Sequence, residues 1–226
     1  MLLLVTSAVT AHGTDLRASP TLGLNQRIAL AQRDIAALTR QADSLRSTIS
    51  AATSAAAGTD SRIRAAQGQA ARLAAAAGLT AVAGPAVTVS LDDAPHSAVD
   101  RDLAAGAQPD DLVIHQQDVQ GVVNALWAGG AEAMTIMGQR VVSTSAVRCV
   151  GNTLLLHGQA FGPPFVVTAV GDTGRLLKAL AADPDVQIFQ QYVAAYGLGY
   201  RATTAARVTL PSYDGPLELT HAKAAQ

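Results

Sequence analysis

Asp111 to Val142, DLVIHQQDVQGVVNALWAGGAEAMTIMGQRVV, is the stretch on which the fold turns. Val119, Val122, Val123, Leu126 and Trp127 recur at the spacing of one helix face, and Gly129-Gly130 after Ala128 is a usual C-terminal stop. The pattern predicts an amphipathic helix that ends near Gly129. Ala133, Thr135 and Met137 then alternate with Met134 and Ile136 in an apolar run too short for a second helix, so a strand is expected, ending on Gly138-Gln139-Arg140.

Upstream of this unit the chain changes character twice. Met1 to Ala11 is apolar but far shorter than the roughly 20 residues that a membrane-spanning helix needs. No Lys or Arg precedes Leu2, and Val9-Thr10-Ala11 is a poor cleavage site, so a signal peptide fits badly. The segment reads as the outer half of a transmembrane helix. With the Gly- and Pro-broken stretch from His12 to Gly23 it forms a partial membrane segment and hinge over 1–23. A heptad follows, with Ile28, Ile35, Ala42, Ile49, Ala56 and Ile63 at a and Ala31, Leu38, Leu45, Ala52, Thr59 and Ala66 at d. Isoleucine at a with leucine at d favours a parallel two-stranded coiled coil, so 24–79 is expected to be a stalk that pairs two copies into a homodimer. A flexible joint is expected over Ala51–Asp60, where the seam is small and polar and Gly58 costs about 1 kcal/mol relative to alanine in a helix.

Gly78, Gly84 and Pro85 are expected to close the stalk, and Ala86–Leu91 alternates as a first strand. His96 to Pro109 has no period and reads as a surface loop. Beyond the central unit, Arg140–Val142, Ala146–Val150, Thr153–Gln159 and Phe165–Val170 read as strands, with a hairpin signal at Gly151-Asn152. Asp172 offers a helix N-cap, Asp183-Pro184 ends that helix, and Gly197 stops the next. Gly199–Thr203 and Arg207–Leu210 close the domain as two strands. Helices interrupting hairpin-linked strands give an α+β sandwich with a mainly antiparallel sheet over 84–214, followed by a tail, 215–226.

Composition removes several classes of function. Net charge is -1 with no dense basic run, which disfavours a nucleic-acid surface. A single cysteine, Cys149, excludes an internal disulfide and a Cys-rich zinc site. His12, His96 and His115 lack metal-ligand spacing, and the Asp92-Asp93 pair after the first strand reads as a solvated turn. Gly197-x-Gly199 lacks the third glycine of a dinucleotide site. No cofactor is therefore implied. Cys149 and His157, on strands expected to be neighbours, form the one conceivable nucleophile–base pair.

The runs GAEAMTIMGQRVVSTSAVRCVGNTLLLHG from Gly130, FGPPFVVTAVGDTGRLLKAL from Phe161, and YGLGY with VTLPSY at the close resemble the domain of unknown function 881 (DUF881) family. The resemblance covers roughly residues 84 to 214 and the order of parts: membrane helix, coiled coil, globular domain. It implies a single-pass membrane protein with its globular domain outside the cytoplasmic membrane and, since some members are encoded beside cell-division genes, a role with envelope or division proteins as partners. It brings no established reaction. Asn124, Glu132, Gln139 and Arg140 match polar positions of the family pattern, at a helix face, a turn and a strand end where a groove can form. There Arg140 can clamp a carboxylate or phosphate bidentately, or can pair with a nearby acid. The resulting expectation is a non-enzymatic scaffold on a dimeric stalk. The alternative is a small-ligand sensor, which a hollow of a few hundred Å³ with Arg140 at its rim would favour; a flat apolar patch would favour the scaffold.

Overall fold

The structure is a computed structural model that describes residues 20–215 apart from 96, 100–102, 104–105 and 151–152. The apolar segment expected at the N-terminus, most of the hinge, the tail from 216 onward and part of the 96–109 loop lie outside the described residues. The chain divides into two compact units, one up to Gln69 and one from Ala70 onward.

Helix α1 (Pro20–Thr59) lies in the first unit and is followed by α2 (Ser61–Ala74), which runs past Gln69. Of the stretch assigned to the hinge, the described residues 20–23 are helical. The joint expected over Ala51–Asp60 shrinks to one residue, Asp60. Hydrogen bonds pass across it from the Asp60 N–H to the Ala56 carbonyl and from the Arg64 N–H to the Asp60 carbonyl, at 3.0 and 3.2 Å. Asp60 Oδ1 accepts the Arg62 N–H at 2.8 Å, and the Arg64 guanidinium donates back to the Ala57 carbonyl through Nε and Nη2. Thr39, Thr48 and Thr53 each turn their hydroxyl onto the carbonyl four residues back, so these three hydroxyls are satisfied within the helix. The large apolar ones are not covered: Leu38 is 66% exposed and Ile49 64%. Among the described residues no helix is long and apolar enough to cross a membrane.

The second unit is α+β. Five antiparallel strands lie in the order β3 (Gln139–Val141), β2 (Ala133–Ile136), β7 (Phe165–Val170), β1 (Val82–Asp92), β8 (Gly199–Leu210). A second antiparallel sheet orders β4 (Val147–Val150), β5 (Thr153–Leu156), β6 (Gln159–Phe161). Side chains alternate across the large sheet. Val87, Val89, Leu91, Phe165, Val167 and Met134 point into the core, where α3 (Gln116–Ala128), α4 (Thr173–Ala182) and α5 (Pro184–Tyr196) cover them. Leu154 and Leu156 of the small sheet enter the same core. On the other face Arg140, Thr135, Thr168, Thr88 and Thr203 stand in register as one row across all five strands, with a Thr88–Thr168 hydroxyl bond of 3.1 Å.

Several local readings change. Gly84-Pro85 does not end the stalk but lies inside β1; the helical turn closes earlier, at Gly78, whose φ of +76° and the Leu79 N–H to Ala74 carbonyl bond of 2.8 Å make a Schellman cap. The strand tolerates Pro85 because β8 bulges there: Gly84 faces Val208 and Ala86 faces Ala205, so two residues of β8 oppose the one that cannot donate. That bulge also joins the two expected closing strands into one of 12 residues. The run from Ala133 to Arg140 is a hairpin and not one strand, turning at Met137 (φ +51°) and Gly138 (φ +78°). Residues 153–159 likewise turn at His157 (φ +50°) and Gly158 (φ +79°). Both are two-residue turns with positive φ at each position, the geometry that matches strand twist. Asp172 caps as expected, accepting the Arg175 N–H, and Gly197 stops the last helix in a left-handed conformation; Asp183, expected to end a helix with Pro184, also caps the next one by accepting from Asp185 and Val186.

Candidate functional site

Helix α3 is seated by a reciprocal cap in which Asp118 Oδ2 accepts the His115 N–H at 2.7 Å. Its inner face buries Val119, Val122, Val123 and Leu126. These four already complete the i, i+3, i+4, i+7 stripe, which leaves Trp127 turned outward and 40% exposed. Sequence reading had placed Trp127 on the core face; the structure places it on a ridge.

That ridge stands between two neighbouring hollows. One, of about 180 Å³, lies along α3 beside Gln120, Asn124, Ser145 and Val147. The other, of about 350 Å³, lies between Ala75–Gly78 and the β2–β3 hairpin, with Glu132 and Arg140 in its wall. Trp127, Val141, Val142 and Ser143 line both, so together they form one two-lobed groove. A side chain at Gly78 would bring its Cβ to 2.8 Å from Val142, so glycine there keeps this wall closely packed as well as allowing the helix cap.

Of the four residues singled out from sequence, the structure brings Glu132 and Arg140 to one lobe and Asn124 to the other. Gln139 pairs with Ile136 and lines neither. Asn124 is exposed and its Oδ1 accepts from Gln120 Nε2 at 2.8 Å. Glu132 is exposed, and its backbone N–H donates to the Val170 carbonyl at 2.8 Å. Arg140 differs from both. It is 5% exposed, and its Nη1 donates to the Thr80 carbonyl at 3.1 Å and the Pro211 carbonyl at 2.9 Å, tying the segment after α2 to the segment after β8. Its Nε is buried with no hydrogen-bond partner, and among the described residues no carboxylate lies within ion-pair distance. Burial pushes its pKa below the ordinary arginine value, as loss of solvent penalises the charged form. Neither a clamp open to solvent nor an arginine paired with an acid describes it: two backbone carbonyls hold it.

A second polar cluster was missed by sequence reading. Ser145 Oγ lies 2.9 Å from His157 Nε2, and the His157 ring meets Tyr213 edge-on with centroids 5.3 Å apart. Burial lowers the His157 pKa, with the Asp214 charge opposing. Ser145 Oγ also accepts the Val142 N–H at 3.0 Å, so this hydroxyl is engaged in closing its own turn. His157 belongs to a turn and not to a strand, which is why the Cys149–His157 pairing does not form. Cys149 instead faces Gln116, with Sγ accepting its N–H at 3.0 Å and the Cys149 N–H donating to Gln116 Oε1 at 3.2 Å. Among the described residues no group of three His, Cys, Asp or Glu is placed to hold a metal ion.

A crystal structure of an uncharacterized conserved protein from Mycobacterium tuberculosis superposes with a TM-score of 0.50 at 23% identity, over 70% of this chain and 99% of that one, a likeness of fold. The UPF0749 protein YlxW of Bacillus subtilis (strain 168) is 32% identical over 103 residues, 46% of this chain and 42% of that protein. A UPF0749 protein of Mycobacterium tuberculosis is 28% identical over 135 residues, 58% of this chain and 43% of that protein. The matches thus span less than half the length of these curated relatives. The family model described as bacterial protein of unknown function (DUF881) matches residues 69–223, which takes in the whole groove and every strand of both sheets, and the chain therefore belongs to the DUF881 family.

Proposed function

We propose that this chain is a non-enzymatic interaction module of the cell envelope, carried at a membrane on a paired helical stalk, with its α+β unit outside the cytoplasmic membrane and in contact with proteins of cell division or wall assembly. The observation that carries the reading is the uncovered heptad seam of α1. Ile35, Leu38, Leu45 and Ile49 are 43%, 66%, 56% and 64% exposed on a helix of 40 residues, which spans about 60 Å at 1.5 Å per residue. Apolar side chains repeating every seven residues along such a length find their burial in a second helix. The groove around Trp127 is the contact surface of the α+β unit, since an outward tryptophan between two hollows is the kind of anchor that dominates protein interfaces.

Crosslinking pull-down from the host envelope tests this reading. Recovery of division or wall-synthesis proteins that is lost with Trp127→Ala supports it, and recovery unchanged by that substitution removes the groove from the interface. The lobe of about 350 Å³ with Arg140 and Glu132 in its wall favours a second reading, a sensor for a small charged metabolite or wall precursor. A thermal-shift screen of small carboxylates and phosphates decides between them: a stabilisation that Glu132→Gln strengthens, by removing a like charge from the lobe, supports the sensor, and none supports the scaffold.

A further inference from the structure

A third hollow lies away from the Trp127 groove. It has a volume of about 350 Å³ and sits between the 3-10 turn Pro109–Leu112, the start of α3 and the outer face of α5. Its floor is Phe189 and Leu198, both buried, while Ile188 (53% exposed) and Tyr192 (40% exposed) stand open beside it. Its rim carries Asp110, Asp111 and Asp118, with His115 the only basic side chain in the lining. Acids at helix starts are ordinary caps, and two of these do cap: Asp111 Oδ2 takes the Gln108 N–H at 2.8 Å and Asp118 Oδ2 the His115 N–H at 2.7 Å. Those bonds fix both carboxylates in place, and neither Oδ1 has a hydrogen-bond partner among the described residues. What separates this place from an ordinary capped turn is the exposed apolar wall beside the fixed charges.

We propose that this hollow docks a protein segment presenting an arginine or lysine beside an aliphatic side chain. A long basic residue lays its methylene stem along apolar surface and carries its charge to the far end, which is the order of surfaces met on passing from Ile188 and Tyr192 to the aspartates. Tyr192 adds a ring face for the cation. The aliphatic neighbour covers what remains of Ile188. A partner segment is favoured over a free organic cation because Ile188 and Tyr192 stand 53% and 40% exposed beside the acids, apolar surface that a small cation would leave wet. Burial already raises the Asp118 pKa, and an incoming cation relieves that penalty. The inference rests on the interaction-module reading and adds a second contact surface to it.

The test uses the full chain and fluorescence anisotropy with a labelled peptide of alternating arginine and leucine. Two control peptides replace arginine by glutamate or leucine by glycine. The variant Asp110→Lys with Ile188→Ser alters two exposed side chains and neither capping acid, and its folding is checked by its unfolding transition. The expected result is binding to the arginine–leucine peptide that weakens about tenfold or more in the variant and with either control, and that weakens in high salt. No binding, binding within about twofold in the variant, or equal binding of the arginine–glycine peptide overturns the proposal. Full displacement by free arginine amide reassigns the hollow to small cations and overturns it too. Trp127→Ala leaves this affinity unchanged. Loss of the site with stalk pairing and Trp127-dependent pull-down intact therefore sinks this inference alone.

Discussion

Arg140 shows how one side chain can be read correctly as special and wrongly as available. Its position before two valines and after a glycine turn marks it as a polar residue within an apolar run, and it does line a hollow. Its hydrogen bonds, however, go to the carbonyls of Thr80 and Pro211, which arrive from either end of the unit and which no sequence pattern could have announced. Arg140→Ala leaves both acceptors short of a donor and opens space beside Gly78, so it is expected to cost about 2–4 kcal/mol of unfolding free energy by denaturant titration. A cost near zero would mean that the two carbonyls are served by water and that the guanidinium is free for a ligand. His157 gives a second prediction at this scale. Its native pKa is depressed by burial below the ordinary 6.5, so the unfolded chain takes up the proton first. The stability it contributes is complete above 6.5 and declines as pH falls from there toward the native pKa. Asp118, raised above 3.8 by burial, acts with the opposite sign, from 3.8 upward. Unfolding of the parent and of His157→Gln across the weakly acid range should therefore show a stability loss in the parent that the variant lacks.

At the scale of elements, periodicity located the helices well, while turn chemistry located one hairpin, β4–β5 with Val150 paired to Thr153, and missed two. The cap at Asp172 and the stops at Asp183-Pro184 and Gly197 were legible because local chemistry alone specifies them. The turns at Met137-Gly138 and His157-Gly158 were not, since neither carries the Asn or Asp that usually occupies the first positive-φ position, and here the strands dictate the turn. Missing the second of them put His157 on a strand and hid its contact with Ser145. Pro85 misled for a related reason: proline reads as a break, but a bulge in the facing strand removes the need for its N–H. The helix of α1 was legible, and its exposed heptad yields the prediction for this scale. Ile35→Asp with Leu38→Asp places carboxylates on a seam that the helix itself leaves exposed, so the fold of one chain is untouched while pairing fails. Sedimentation should show a dimer becoming a monomer with the α+β unit's unfolding transition unchanged. A parent chain that sediments as a monomer would refute the paired stalk outright.

At the scale of the molecule, the order of strands makes the second unit one closed piece of chain. Its first strand, β1, lies between β7 and the last strand, β8, and holds β8 in register from Val82–Leu210 to Asp92–Gly199. The beginning and the end of the unit are therefore adjacent, and the Tyr213 N–H bond to the Gly78 carbonyl, 2.8 Å, fastens the closure just outside the sheet. Among the described residues the largest fully buried side chains, from Val87 to Leu176, all belong to the unit that starts at Ala70. Sequence reading found the α+β class from alternating elements but not this closure, because contacts between residues more than a hundred positions apart leave no local period. A chain cut to 70–226 is then expected to remain folded, with a single cooperative transition close to that of the whole chain and a monomeric mass. A chain cut before β8, at Leu198, should lose that transition altogether, since β1 would then present an unpaired edge and the Thr80–Arg140–Pro211 tie would have lost one end. Thermal unfolding of the two truncations measures both. If 70–226 failed to fold, the stalk would be contributing to the α+β unit, and the exposed seam of α1 could no longer be read as reserved for a second copy.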